Sequence, residues 1–333
     1  LKIFNYFLFF IYILEKKGYI FGIICGFMIG IQPIIIISRP VIIDSYIFAA
    51  MTFVIVSFVF LPLMIIERKN IKANNINGLL THDENESLLH GWKRNKKQLI
   101  YLGIIFGFGR IFFFIGFQLA GAINGSLVQK VRIISALLFG YLILKERISK
   151  KQIVFSILLL FGLFIAITNG SVINITNISD SVIIGVIILL IVGTIWTLAH
   201  TQTKPLIDRK EATPITIVFI RSIIGAIILI STYFLFFPLE NINLFYDPVN
   251  IYYFLAIGAV QGLGLYSWYK AISYMEFSKA TILVAPTPII TAFFAYFVLG
   301  DPFTIFTLIG TIIVIFSITM IVREKPREMI IIE

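Results

Sequence analysis

Ten stretches of this chain are long and apolar enough to cross a lipid bilayer: 18–37, 45–66, 99–119, 123–144, 150–168, 181–201, 214–237, 250–272, 278–299 and 303–322. A membrane-crossing helix needs about 20 such residues, whereas a membrane β-barrel needs shorter, alternating segments. The remaining composition points the same way. Hydrophobic residues make up 59% of the chain, charged residues only 13%, and mean hydropathy is +0.99. A soluble domain carries about a quarter charged residues, so this chain lacks the charge to cover itself with a solvated surface. The expected fold is an all-α, multi-pass membrane protein with ten transmembrane helices, placed in the cell (plasma) membrane.

The net charge of +10 does not call for a nucleic acid, because of where the basic residues lie. With the N-terminus inside, 21 Lys and Arg residues fall on the cytoplasmic side and one, Arg39, on the other. Basic residues concentrate in cytoplasmic loops, so both termini are expected to be cytoplasmic. Residues 1–17 read as an apolar interfacial stub and 323–333 as a cytoplasmic tail. The one long polar loop, 67–98, reads as a disordered or amphipathic linker with basic residues at both ends. The outer loops hold Asn174, Asn177, Asp180, Glu240 and Asp247; the N-x-S/T matches at Asn174 and Asn177 are short and common patterns. A single cysteine, Cys25, excludes an intrachain disulfide framework, and no Cys/His cluster has metal-ligand spacing.

The two halves resemble each other. Gly22 and Gly30 share their spacing with Gly185 and Gly193, and Arg39-Pro40-Val41-Ile42 parallels Lys204-Pro205-Leu206-Ile207. The fourth span ends Gly140-Tyr141-Leu142-Ile143-Leu144-Lys145-Glu146, and the ninth ends Ala295-Tyr296-Phe297-Val298-Leu299-Gly300-Asp301. The acid stands at the same place in each. Five helices per copy, an odd number, force the second copy upside down. Residues 18–168 and 181–322 are therefore expected to be two inverted five-helix repeats, with a substrate site near the midplane between them.

With its ninth-span signature, Ala285-Pro286-Thr287-Pro288 through Leu299-Gly300-Asp301-Pro302, the chain resembles the drug/metabolite transporter superfamily in its EamA-type branch. The resemblance covers roughly residues 18 to 322. It departs from the family pattern where the fourth span lacks a proline and where Asp301 stands for the usual Glu. It implies a ten-helix permease for amino acids, other metabolites or drugs.

Charge inside a membrane is the sharpest guide to a site, since an arginine at mid-bilayer costs at least about 2.5–3.5 kcal/mol. Arg110 lies near the middle of the third span. At about 100° per residue it shares a face with Gly103, Gly107, Phe114 and Gln118, and glycine stripes mark faces where helices approach closely. Arg132 shares a face with Gly125, Gln129, Ala136 and Gly140. Lys130 points away from Arg132 and is expected to snorkel. The acids Asp44, Glu67, Glu146, Glu276 and Asp301 all sit at span ends, so neither arginine has a deep carboxylate partner in sequence. Either backbone carbonyls or a wet cavity hold them, or the substrate brings the negative charge. The Gln129–Ser135 segment also resembles the fourth helix of nucleotide-sugar carriers, with a lysine there in the Arg132 place.

Arg221 reads as an interfacial anchor, and Lys270 either as another or as a residue of the cytoplasmic gate. Pro286 and Pro288 free carbonyls within the ninth span, as Pro33 beside Gln32 does in the first. Trp196, Trp268, Tyr266 and Tyr269 are candidates to line a cavity or to belong to packing and interfacial belts; His200 stands alone near the end of the sixth span. The candidate substrate-binding set is Arg110, Arg132, Gln129, Gln118, Gln32, Trp196, Tyr266, Tyr269, Lys270, Pro286 and Pro288. There are no paired carboxylates in a span, no HExxH, no G-x-S-x-G and no phosphate loop, so no enzyme activity, cofactor or metal is expected. The leading expectation is a secondary transporter moving a small polar metabolite, anionic or an amino acid, by alternating access. The alternatives are a nucleotide-sugar-like or phosphorylated-metabolite exchanger, and a non-transporting membrane protein of the same fold, such as a lipid scramblase or sensor. The expected partners are a small-molecule substrate and the bilayer.

Overall fold

In the computed structural model, residues 2–76, 81–144, 148–168, 179–275, 280 and 283–323 are described, and no strand occurs among them. The helices are α1 (Lys2–Ser38), α2 (Ser45–Ile76), α3 (His82–Arg94), α4 (Lys96–Ala120), α5 (Ala122–Val128), α6 (Arg132–Leu144), α7 (Lys150–Thr168), α8 (Asp180–Asp208), α9 (Pro214–Phe236), α10 (Pro248–Tyr274), α11 (Thr287–Phe294) and α12 (Ile305–Arg323). Among the described residues eight helical stretches have the length and composition to cross a membrane. Two shorter apolar ones, Thr287–Leu299 and Ile305–Ile321, stand where the ninth and tenth spans are expected. Asn174, Asn177, Glu146, Glu276 and Lys279 lie outside the described residues.

The helix starts follow capping chemistry. Asp44 Oδ1 accepts from the Tyr46 and Ile47 amides at the start of α2. Ser179, Thr213 and Asp247 do the same work for α8, α9 and α10, with Pro214 and Pro248 in first-turn positions that need no amide donor.

Helix pairing repeats itself between the halves. α1 packs on α10 as α4 packs on α8; α2 packs on α10 as α4 packs on α9; α2 packs on α9, and α7 on α12. Exchanging the two halves leaves this pattern unchanged. The matching extends to single side chains. A Cβ added to Gly103 would lie 2.5 Å from Ile224 Cγ2 on α9, and one added to Gly258 would lie 2.5 Å from Ile55 Cγ2 on α2. At both places only glycine lets the helices approach so closely. Side-chain contacts also give the directions. Phe53 meets Gly225 and Glu67 meets Thr213, so α2 and α9 run antiparallel. Gly116 meets Leu189 and Gly109 meets Trp196, so α4 and α8 do too. Gln152 reaches the Ile321 carbonyl and Phe155 meets Phe316, giving the same sense for α7 and α12.

Three regions differ from the sequence reading. The stub expected at 1–17 is continuous with the first span, because α1 runs unbroken from Lys2. The described residues of the 67–98 linker are mainly helical: α2 extends to Ile76, and α3 is closed by a capping box in which Thr81 and Glu84 serve each other's backbone amides. α3 docks on the turn between α8 and α9. Ser87 donates to the Arg209 and Lys210 carbonyls, Asn95 donates to Glu211, and Lys210 pairs with Glu84 at 2.6 Å. Gly91 is the contact point, since a Cβ there would fall 2.7 Å from both Glu211 Cα and its carbonyl oxygen. The third difference is a break in the fourth span.

Candidate functional site

The fourth span is expected as one helix over 123–144. Instead α5 ends at Val128, a tight 3-10 turn occupies Gln129–Val131, and α6 restarts at Arg132. The ninth span is interrupted at Val284–Pro286, a turn after which α11 begins. Aligning Gly140 with Ala295, as the helix-end signatures require, places Gln129–Val131 directly opposite Val284–Pro286. The two breaks are therefore equivalent positions in the two halves, and they touch. Lys130 Nζ donates to the Val284 carbonyl at 2.7 Å, and Thr287 Oγ1 donates to the same oxygen at 2.5 Å. A carbonyl freed from its helix at membrane depth must find a partner; here a cation from the other half supplies one. Lys130 is thus not a snorkelling residue. It is 9% exposed and points across the repeat interface.

Pro286 caps α11 and Pro288 lies in its first turn, so neither interrupts a continuing helix. Arg132 opens α6. Its aliphatic stem lies on Gly193 of α8, where an added Cβ would fall 2.9 Å from Arg132 Cγ, and its Nε donates weakly to Thr197 Oγ1 at 3.4 Å. Gln129 Nε2 lies 3.4 Å from the Leu189 carbonyl.

A second cluster surrounds Arg110, which is 3% exposed. Its guanidinium lies 4.8 Å from the Trp196 ring, 5.1 Å from Phe113 and 5.7 Å from Phe114. Gly109 makes room for Trp196, because a Cβ there would meet the indole nitrogen at 2.5 Å. One helical turn earlier, Phe106 carries a second guanidinium, that of Arg221, 3.6 Å from its ring centroid. Arg221 is 1% exposed and donates through Nη1 to Tyr269 Oη at 3.1 Å; Tyr269 in turn faces His200 Nδ1 at 3.4 Å. Arg221 is therefore no interfacial anchor. The His200 ring packs 4.9 Å from Phe106 and within reach of Trp268.

Arg110, Arg132 and Arg221 lie within electrostatic range of His200, and Arg110 lies within range of both Arg221 and Arg132. No carboxylate pairs with any of the three among the described residues. Cation–π contacts contribute about 0.5–2 kcal/mol apiece, but they do not cancel charge. Arg110 also lies within electrostatic range of Arg221, so the two like charges repel each other. Arg110 Nε, Arg221 Nε and Trp196 Nε1 are buried with no hydrogen-bond partner. All three are donors. The arrangement can receive an acceptor-rich, negatively charged group.

Arg110, Trp196 and Tyr269 are brought into one cluster, and Gln129, Arg132, Pro286 and Pro288 stand along the two touching breaks. The other candidates lie elsewhere. Gln118 is exposed and accepts from Ser45 Oγ at 2.9 Å, beside the buried Arg39, which donates to the Ile36 and Ile43 carbonyls. Gln118, near the end of α4, thus contacts the start of α2 beside the α1–α2 turn rather than accompanying Arg110. Gln32 pairs with Gln261 of α10 at 2.5 Å. Lys270 lies over Tyr266 and Tyr274 at the far end of α10. The sequence reading missed Arg221 as a site residue; its signal is that no acid neighbours it in sequence, the same signal that marked Arg110.

A solved crystal structure of a protein aligns over 92% of this chain and 96% of its own, with a TM-score of 0.62 at 14% identity, which shows the fold alone. An uncharacterized transporter of Bacillus subtilis (strain 168), YyaM, is 27% identical over 231 residues, covering 68% of this chain and 73% of its own. An uncharacterized transporter of Archaeoglobus fulgidus is 25% identical over 208 residues, covering 60% of this chain and 67% of its own. The EamA-like transporter family matches residues 16–168 and 183–323, which together take in most of the chain and both of its repeats, and the protein belongs to that family.

Proposed function

We propose that this membrane transporter carries a small, negatively charged polar metabolite by alternating access in the cell membrane. It would have ten spans in two inverted five-helix halves, with both termini cytoplasmic. The single observation that carries the reading is the group of three arginines without a carboxylate partner among the described residues, drawn from both halves: the buried Arg110 and the half-buried Arg132 from the first, and the buried Arg221 from the second. Buried charge is retained in membrane proteins where it serves a pathway or a ligand. The antiparallel pairing of α2 with α9, α4 with α8, and α7 with α12 supports the inverted arrangement, and the paired helix breaks are the feature inverted-repeat carriers place at their substrate sites. The 21-to-1 distribution of basic residues supports the orientation.

Uptake into proteoliposomes tests it. Labelled lactate, glutamate and succinate are compared with cationic counterparts, using the wild type, Arg110→Gln and Arg132→Gln. Each variant is expected to lower anion uptake by about 10- to 100-fold, equivalent to about 1.4–2.7 kcal/mol, while eluting as the wild type does on gel filtration. Wild-type vesicles that move no solute but flip labelled phospholipid would replace this reading with that of a scramblase.

A further inference from the structure

We propose that Arg110 and Arg221 form a two-arginine clamp for a dianion, either a dicarboxylate or a phosphate monoester. The inference rests on the anion-transport reading and goes beyond it in fixing the charge of the substrate. Arg221 is the new element: it comes from α9, in the second half, yet its guanidinium rests on Phe106 of α4, one turn from Arg110 on the same helix. Both guanidiniums are almost wholly buried, and both have a buried Nε with no hydrogen-bond partner. Their other surroundings are aromatic: Phe106 beneath Arg221, and Phe113, Phe114 and Trp196 around Arg110. Aromatic faces hold a guanidinium in place and leave its N–H fork free for a planar, bidentate acceptor.

The charge count decides the substrate class. A monoanion neutralises one guanidinium and leaves the second unpaired within electrostatic range of it. A dianion neutralises both, and each of its charged oxygens gains N–H donors that otherwise have none. Tyr269 holds Arg221 through its Nη1, which makes Tyr269 a positioning residue for the clamp. Because the two arginines come from opposite halves, a bound dianion also ties the halves together across α4 and α9.

The test uses the purified full-length protein in detergent and follows thermal unfolding against ligand concentration. The probes are succinate and methyl phosphate as the two kinds of dianion, and butyrate as the monoanion matched to succinate in carbon number. The expected result is that at least one dianion binds the wild type ten or more times more tightly than butyrate; which of the two does so separates the dicarboxylate from the phosphate ester. Arg221→Gln should bring that ratio close to one while butyrate binding stays within about threefold. Tyr269→Phe, a change that keeps the ring, should lower the ratio by several-fold, so the clamp can be judged even if Arg221→Gln does not fold. A wild-type ratio near one overturns the clamp, and so does an Arg221→Gln or Tyr269→Phe protein that keeps the full wild-type ratio. Butyrate binding that is lost in Arg110→Gln, with no dianion advantage in the wild type, overturns the clamp alone. No response to any of the three acids overturns it together with the anion reading.

Discussion

The protein holds two groups of basic residues that are treated in opposite ways. Where α3 meets the α8–α9 turn, Lys210 pairs with Glu84 and Arg209 with Glu211 at 3.0 Å, in side chains that water reaches. Around Phe106 and Trp196, Arg110 and Arg221 are almost fully buried and face rings and hydroxyls instead of acids. The chain therefore has carboxylates, and it spends them where charge is already solvated and an ion pair adds little. In the interior, where one carboxylate would relieve the most repulsion, it places none among the described residues. That contrast separates a surface held by local pairing from an interior left positive, as the proposed anion site requires.

Supplying the missing acid is the strongest way to break the contrast. Tyr269→Glu puts a carboxylate beside Arg221 and fills the interior site permanently. Anion uptake in proteoliposomes is expected to fall by more than about 100-fold, the rate equivalent of about 2.7 kcal/mol, while the protein stays in the membrane fraction. Uptake within about threefold of the wild type would mean that the positive charge of this cluster does no work in transport.

Removing the interior lysine sharpens the comparison from the other side. Lys130→Leu leaves the Val284 carbonyl with only the Thr287 hydroxyl and the Thr287 amide. A hydrogen bond to a charged group contributes about 1.5–3 kcal/mol, so a loss of that order in unfolding free energy is expected in a denaturant titration. An unchanged midpoint would show that the contact between the two breaks carries no stability.

The smallest effects belong to the surface group, and they depend on shape more than on charge. Gly91→Ala drives a methyl into Glu211 and should cost about 1–3 kcal/mol of local stability, the usual range for overpacking, read as faster hydrogen exchange across α3. Glu84→Gln should change exchange far less, and high salt should erase the difference. The Lys210 ammonium holds the Glu84 carboxylate below its ordinary range. The folded pKa is thus depressed, so the small stabilisation from this pair is present at neutral pH and disappears as pH falls below the usual carboxylate range. If Glu84→Gln loosens α3 more than Gly91→Ala does, pairing rather than packing seats it.

Much of this was readable in the sequence. The ten apolar stretches, the repeat and the unpaired Arg110 follow from length, spacing and composition, because lipid punishes departures from those rules so heavily. The break at Gln129–Val131 was not readable, since those residues are ordinary helix formers and the family's proline is missing there. Only the alignment of Gly140 with Ala295 brings the segment opposite Pro286, and only tertiary contact shows that Lys130 reaches Val284. Arg221 was misjudged because a charge eight residues into a helix looks interfacial until Phe106 and Tyr269 close over it. The helix α3 was announced by Thr81 and Glu84, whose three-residue spacing is a start signal hidden within a polar run.

The Lys130–Val284 contact has a consequence for ancestry. A dimer of identical first halves would set two ammonium groups against each other at this point, and a dimer of second halves would leave each Val284 carbonyl with only the Thr287 donors of its own half. Having divided donor from acceptor, the duplicated segments have lost the freedom to work as interchangeable subunits, and expressing either one alone would leave it half of a bond.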